Sequence, residues 1–236
     1  MKKILIIGGT GFIGYNFAKF CIKKNWSVTS VSTKPPKQNR YIKKIKYLFF
    51  DISKKSLIKK KLHNFKFNYV LNCGGEVDHK NKIKVYNSHY LGCKNLVDYF
   101  KYKNLEAFIQ IGSSVEYGKL QSPHKEKNYK KVKQTNSFYG DAKLKATNYL
   151  MNSFKNYNFP CKIIRVYLCY GPGQDNNRFI PIITKSCLEN KEFDCSDGKQ
   201  LRDFIFIDDL NSLIYLSIKD KKYNGEIFNG GSGKPY

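Results

Sequence analysis

Arginine is scarce in this chain of 236 residues. Only Arg40, Arg165, Arg178 and Arg202 stand among its 43 basic residues, which face 18 acidic ones for a net charge of +25. Arginine is the residue suited to bidentate reading of bases and phosphates. The lysines are not interleaved with aromatics in any nucleic-acid motif. No nucleic-acid partner is therefore expected, even for residues 34–66, where twelve basic residues accompany one acid, Asp51. The charge does attract small anions. Long apolar runs are also lacking: none approaches the ~20 residues that span a bilayer. The N-terminal run Ile4-Leu5-Ile6-Ile7 is too short for a signal-peptide core, so the expectation is a cytoplasmic protein with no membrane partner. The seven cysteines (21, 73, 93, 161, 169, 187 and 195) contain no CxxC pair and no Cys/His metal spacing. Reduced thiols and no metal site are expected.

What is present is enough for a sizeable core. Hydrophobic residues make up 41% and aromatics 15%, which excludes a disordered chain. Short apolar runs at Lys3–Gly8, Ser27–Ser32, Ile45–Phe50, Phe67–Cys73, Ala107–Gly112 and Cys161–Val166 read as strands. Phe12–Lys24, Ile83–Tyr102 and Phe138–Tyr157 have helical spacing, and Lys34–Lys44, with Pro35-Pro36, reads as a loop. Strands alternating with helices predict an α/β fold, a doubly wound parallel sheet of the Rossmann kind. After Gly171 the pattern shortens. The expected organisation is a dinucleotide-binding domain over 1–170 and a partial substrate annex over 171–236, interleaved with the sheet.

The strongest local signal is Gly8-Gly9-Thr10-Gly11-Phe12-Ile13-Gly14, a GxxGxxG spacing between a strand and a helix. Gly8 permits the tight turn, Gly11 admits a pyrophosphate against the backbone, and Gly14 lets helix and strand pack closely. The helix N-terminus at Phe12 and Ile13 then offers amides and a positive dipole. At the end of the second strand, an acid would bond the adenosine ribose and favour NAD. The chain has Ser32-Thr33-Lys34 instead, a hydroxyl pair and a cation that tip the expectation slightly toward NADP.

In these motifs the chain resembles the extended short-chain dehydrogenase/reductases, the NAD(P)-dependent epimerase/dehydratase group that acts on nucleotide sugars. Further matches follow in order. Asp51-Ile52 resembles the pair that contacts adenine, and Cys73-Gly74-Gly75 the small-residue turn beside the cofactor. Ile111-Gly112-Ser113-Ser114-Val115-Glu116-Tyr117-Gly118 resembles the serine segment ending in Tyr-Gly. Tyr139-Gly140-Asp141-Ala142-Lys143 is similar to YxxxK. Tyr170-Gly171-Pro172-Gly173-Gln174 and the stretch Gly198–Asp209 match late motifs. The resemblance covers essentially the whole chain.

YxxxK alone carries nothing here. Composition predicts about three such pairs by chance, and six occur. Context selects Tyr139, 26 residues after Ser113 and at the start of a helix. Tyr and Lys then sit one turn apart on one face. A free tyrosine, with pKa ~10, is a poor base at neutral pH. Lys143 stabilises its anion and can also hold the cofactor ribose, while Ser113 bonds the substrate oxygen. The resemblance adds Ser114, Arg178 and Arg202 as substrate contacts and implies a homodimer through the helices near 83–102 and 138–157.

Departures from the family pattern narrow the reaction. Dehydratases place acids directly after the catalytic Ser/Thr, where this chain has Ser114 and Val115. Glu116 falls one place late, which would misdirect it in an extended segment. A 4-epimerase and a 4-keto-sugar reductase remain, both acting on a nucleotide-diphosphate sugar. Leu168 replaces an Asn that contacts the diphosphate in relatives. His89 stands where relatives carry Asn and reads as a structural histidine. Phe228–Lys234 resembles a motif normally followed by several dozen residues, so a truncated annex is expected. A non-catalytic dinucleotide sensor is the competing reading.

Overall fold

The computed structural model describes residues 1–236. The strands are β1 (Lys3–Ile7), β2 (Ser27–Ser32), β3 (Lys46–Phe49), β4 (Tyr69–Asn72), β5 (Ala107–Ser113), β6 (Cys161–Val166), β7 (Leu168–Tyr170), β8 (Phe204–Phe206) and β9 (Ile227–Gly230). The helices are α1 (Phe12–Lys23), α2 (Lys55–Leu62), α3 (Lys82–Tyr86), α4 (Gly92–Phe100), α5 (Phe138–Tyr157), α6 (Phe179–Glu189) and α7 (Ile207–Lys219). Seven strands form one parallel sheet in the order β3-β2-β1-β4-β5-β6-β9, and β7 pairs with β8 apart from it. This is the expected doubly wound, Rossmann-type sheet, with its order reversing beside β1.

Period-two alternation divides the core between the two faces of the sheet. Leu5 and Ile7 of β1 pack with Ile58 of α2, Leu96 and Val97 of α4 and Leu150 of α5. Ile4 and Ile6 face the other way, with Phe17 and Ala18 of α1 and Leu210 and Ile214 of α7. Each such Ile or Leu side chain contributes roughly 1.5–3 kcal/mol by leaving water.

Local chemistry sets the ends of α5: the Ser137 hydroxyl accepts from the Gly140 amide at 3.0 Å, and Asn158 closes the helix in a left-handed conformation. The helix expected over 83–102 is instead α3, a wide turn at Asn87–Leu91 and α4. Helix α2 has no counterpart in the sequence reading, because only Ile58 and Leu62 of its lysine-rich run are buried. Beyond residue 170 the chain contributes β9 to the main sheet and α7 to its face, whereas α6 buries no residue. No helix is long and apolar enough to cross a membrane.

Candidate functional site

The glycine turn is built by contact distances. Gly8 has φ +76°, and a Cβ there would lie 2.7 Å from Gly74 Cα. A Cβ on Gly14 would lie 2.4 Å from the Gly8 carbonyl oxygen. Gly14 thus supports the turn from behind. The Gly11 amide donates to that carbonyl at 2.9 Å, and the Thr10 amide donates to Ser32 Oγ at 3.4 Å, tying the turn to the end of β2. Helix α1 begins with no side-chain cap, so the amides of Phe12 and Ile13, residues that line the cleft, have no side-chain partner.

In front of this turn lies a cleft of about 650 Å³. Gly8, Gly11, Phe12, Ile13, Ser32, Lys34, Asp51, Ile52, Cys73, Gly74, Gly75 and Arg178 all line it. The Asp51–Ser53 turn is held by Asp51 Oδ1, which accepts from the Ser53 amide at 2.8 Å, and by Asn95 Nδ2, which donates to the Ile52 and Ser53 carbonyls. A Cβ on Gly75 would fall 1.8 Å from His89 Cε1, so the smallness of Gly75 makes room for that ring.

Tyr139 stands in the first turn of α5, half-buried. His79 stacks on its ring at 4.0 Å between centroids, 13° from parallel, and His89 meets it edge-on at 4.9 Å. Lys143 follows one turn later and is buried. Its Nζ donates to the Ile111 carbonyl at 2.7 Å and lies 5.9 Å from the Tyr139 ring centroid. His89 Nε2 donates to the Glu76 carbonyl at 3.0 Å, while its buried Nδ1 has no partner. Burial, with the Lys143 charge added, pushes the His89 pKa down to about 3. Burial also lowers His79, helped by the charges of Arg178 and Lys143. Both imidazoles against the phenol are therefore neutral at pH 7.

Ser113 ends β5, and its Oγ accepts from the Val115 amide at 3.4 Å. The segment Ser114–Tyr117 is a single 3₁₀ turn, which corrects the extended conformation considered above. The turn sends Glu116 into the core, where both it and Arg165 are fully buried. Glu116 Oε1 accepts from the Ser113 amide at 2.8 Å, and Oε2 accepts from Thr147 Oγ1 of α5 at 2.6 Å. Arg165 of β6 meets Oε2 through Nε at 3.2 Å and Nη2 at 3.1 Å. One carboxylate thus ties Ser113 to the helix carrying Tyr139 and Lys143.

Ser113, Ser114, Tyr139, Lys143 and Arg202 are not among the residues that line this cleft. Ser114 sits in the 3₁₀ turn and does not line the cleft. Arg202 is exposed and donates to Leu201 O and Gln200 Oε1, because its backbone is paired with Tyr236 away from the cleft. Conversely, Lys84, Asn87, Ser88, Gln174 and Asp175 line the cleft without having been singled out. Gln174 ends the Tyr170–Gln174 motif and Asp175 follows it, whereas His79 carries no local signature.

A glycine turn against an uncapped helix, at the point where strand order reverses, defines a Rossmann-type α/β protein. The chain belongs to the NAD dependent epimerase/dehydratase family, whose model matches residues 4–231. It is 26% identical over 257 residues to a dTDP-D-glucose 4,6-dehydratase of Dictyostelium discoideum, covering 98% of this chain and 58% of that protein. Its fold matches the UDP-glucose 4-epimerase of Thermotoga maritima, solved with UDP-glucose, at a TM-score of 0.89 and 22% identity, covering 99% and 78% of the two chains. It likewise matches the dTDP-glucose 4,6-dehydratase of Bacillus anthracis, solved with NAD, at 0.87 and 22%, covering 100% and 77%.

Proposed function

We propose that this protein is a nicotinamide-dinucleotide-dependent enzyme acting by hydride transfer on a nucleotide-diphosphate sugar, as a 4-epimerase or 4-keto-sugar reductase. The observation that carries this reading is Tyr139 one helical turn before a buried Lys143, its ring against His89, which in turn lies against Gly75 of the cleft in front of the Gly8 turn. The contacts that a Cβ would violate at Gly8 and Gly14, and the uncapped amides of α1, fit a dinucleotide pyrophosphate. The dinucleotide supplies the hydride acceptor or donor. Tyr139 moves the proton on or off the sugar hydroxyl, and the Lys143 charge favours its anion. Ser113 holds the substrate oxygen, and Arg178 is placed to meet a phosphate from across the cleft. Dehydration is disfavoured because Glu116, the nearby acid, is committed to Ser113, Thr147 and Arg165 in the core.

Free cysteines throughout are compatible with action in the cytoplasm. Ile83, Tyr102, Phe138 and Tyr157 are exposed on or beside α3, α4 and α5, which supports a homodimer formed there. The competing sensor reading draws on Leu168, 43% exposed, at the place of the substrate-contacting Asn.

The test is turnover of UDP-glucose, UDP-glucuronic acid and dTDP-glucose, and of a nucleotide-diphosphate 4-keto-sugar with NADH or NADPH, followed by product chromatography and reduced-nicotinamide absorbance. Tyr139→Phe is expected to lose turnover by about 10²–10⁴-fold while binding cofactor as before. Equal turnover by both proteins rules out Tyr139 as the acid/base. Dinucleotide binding without turnover of any sugar favours the sensor.

A further inference from the structure

The end of β2 lacks the carboxylate that would bond the adenosine ribose of NAD. A carboxylate reaches the same end of the cleft from a distant part of the chain. Asp175, in the loop between β7 and α6, lines the cleft together with Thr33 and Lys34. Its Oδ1 accepts from Lys37 Nζ at 2.7 Å and from Arg40 Nη2 at 3.0 Å. Lys37 lies three residues beyond Lys34, so its bond ties Asp175 to the segment that follows β2. The same Arg40 Nη2 donates to the Gly173 carbonyl at 2.8 Å, and Arg40 is only 5% exposed. The two cations thus strap the loop across the cleft. The Lys37 hydrogen bond, backed by the Arg40 charge, holds the Asp175 carboxyl below its ordinary range. Oδ2 of Asp175 has no hydrogen-bond partner.

We propose that Asp175 is the residue that reads the adenosine ribose, its free Oδ2 accepting from the 2′-hydroxyl and opposing a 2′-phosphate, so that the cleft selects NAD over NADP. The inference rests on the dinucleotide reading of the cleft and decides between its two cofactors. The surrounding positive charge does not reverse the preference. Lys37 and Arg40 are committed to Oδ1, and Arg40 also to Gly173 O. Lys34 alone is exposed and unpaired at this end, and a 2′-phosphate beside it stands against the carboxylate. The discrimination is one of hydrogen bonding at short range: a 2′-hydroxyl has a proton to donate to Oδ2, and an ionised 2′-phosphate has none.

The test is fluorescence titration of the intact protein with NADH and with NADPH, for the wild type, Asp175→Asn and Lys37→Met. The wild type is expected to prefer NADH by at least about tenfold, and Asp175→Asn to narrow that ratio by about tenfold, chiefly by gaining NADPH. Lys37→Met leaves the carboxylate in place and is expected to keep or widen the preference. A wild type that prefers NADPH overturns the proposal, as does an Asp175→Asn protein whose ratio is unchanged. Equal loss of both cofactors in Asp175→Asn reduces the residue to a loop tether and also overturns it. A folded wild type that binds neither dinucleotide instead sinks the reading of the cleft itself.

Discussion

Every residue of β6 is buried, and none of α6 is. The two elements are held in place by different physics. Strand β6 lies between two apolar layers, with β5 on one side and β9 on the other. The segment carrying α6 is held at its ends by polar ties. At one end Asp175 is strapped to Lys37 and Arg40. At the other, Asp203 accepts from the Ser232 amide at 2.6 Å, the Ser232 hydroxyl at 2.8 Å and the Gly233 amide at 2.9 Å. Between these ties Leu188 is 83% exposed, beside a depression of about 510 Å³ that Tyr170, Ile180 and Phe206 help to line. The cleft in front of the glycine turn draws on the sheet and on the tied segment. Its floor belongs to the packed sheet, and one wall, Gln174 to Arg178, belongs to the tied segment. The comparison teaches that the floor is set by packing, while the wall is set by a few charges.

The largest effect is expected under the floor. Glu116→Ala leaves the fully buried Arg165 without its counter-charge, at a cost of about 3–5 kcal/mol in denaturant unfolding. A loss below about 1 kcal/mol, the range of an exposed ion pair, shows that water reaches Arg165 and that the floor is no drier than the wall.

A smaller effect appears with pH. Folded His89 has its pKa pushed down to about 3, whereas an unfolded histidine titrates at ~6.5. Above pH 6.5 both states are neutral and stability is complete. As pH falls toward 3, the unfolded chain takes a proton that the folded chain refuses, and stability declines by up to about 1.4 kcal/mol per pH unit. Between pH 7.5 and pH 5 the wild type is expected to lose about 2 kcal/mol that His89→Gln does not. Parallel pH dependence in the two proteins removes His89 from that account.

The smallest effect is expected on α6. Leu188→Ala should change unfolding by no more than about 0.5 kcal/mol, the range of ordinary surface substitutions. A loss of core size, about 2–5 kcal/mol, shows instead that something covers this helix and erases the contrast with β6.

What the sequence disclosed follows the same division. The bounds of β6 and α5 were readable because a short apolar run, interrupted only by Lys162 and Arg165, marks the one, and Ser137 and Asn158 cap the other. The glycine turn was readable because each of its steric demands falls on one residue at fixed spacing. Helix α2 was hidden by lysines around its two buried residues. The direction of Glu116 depended on a 3₁₀ turn, where a shift of one residue does not have the meaning it has in a strand. Asp175 and its partners are separated by 135 residues or more, so no local pattern announces the strap. His79 reaches Tyr139 across 60 residues, again beyond any local pattern. Packing within the sheet leaves a periodic trace in the sequence, and ties between distant loops leave none.

The most direct test of the whole account is a crystal structure of this chain with NAD bound. The account predicts the pyrophosphate at the amides of Phe12 and Ile13, the adenosine ribose beside Asp175, and the nicotinamide against Tyr139 and Ser113. A dinucleotide bound outside this cleft, or one whose nicotinamide lies away from Tyr139, contradicts it.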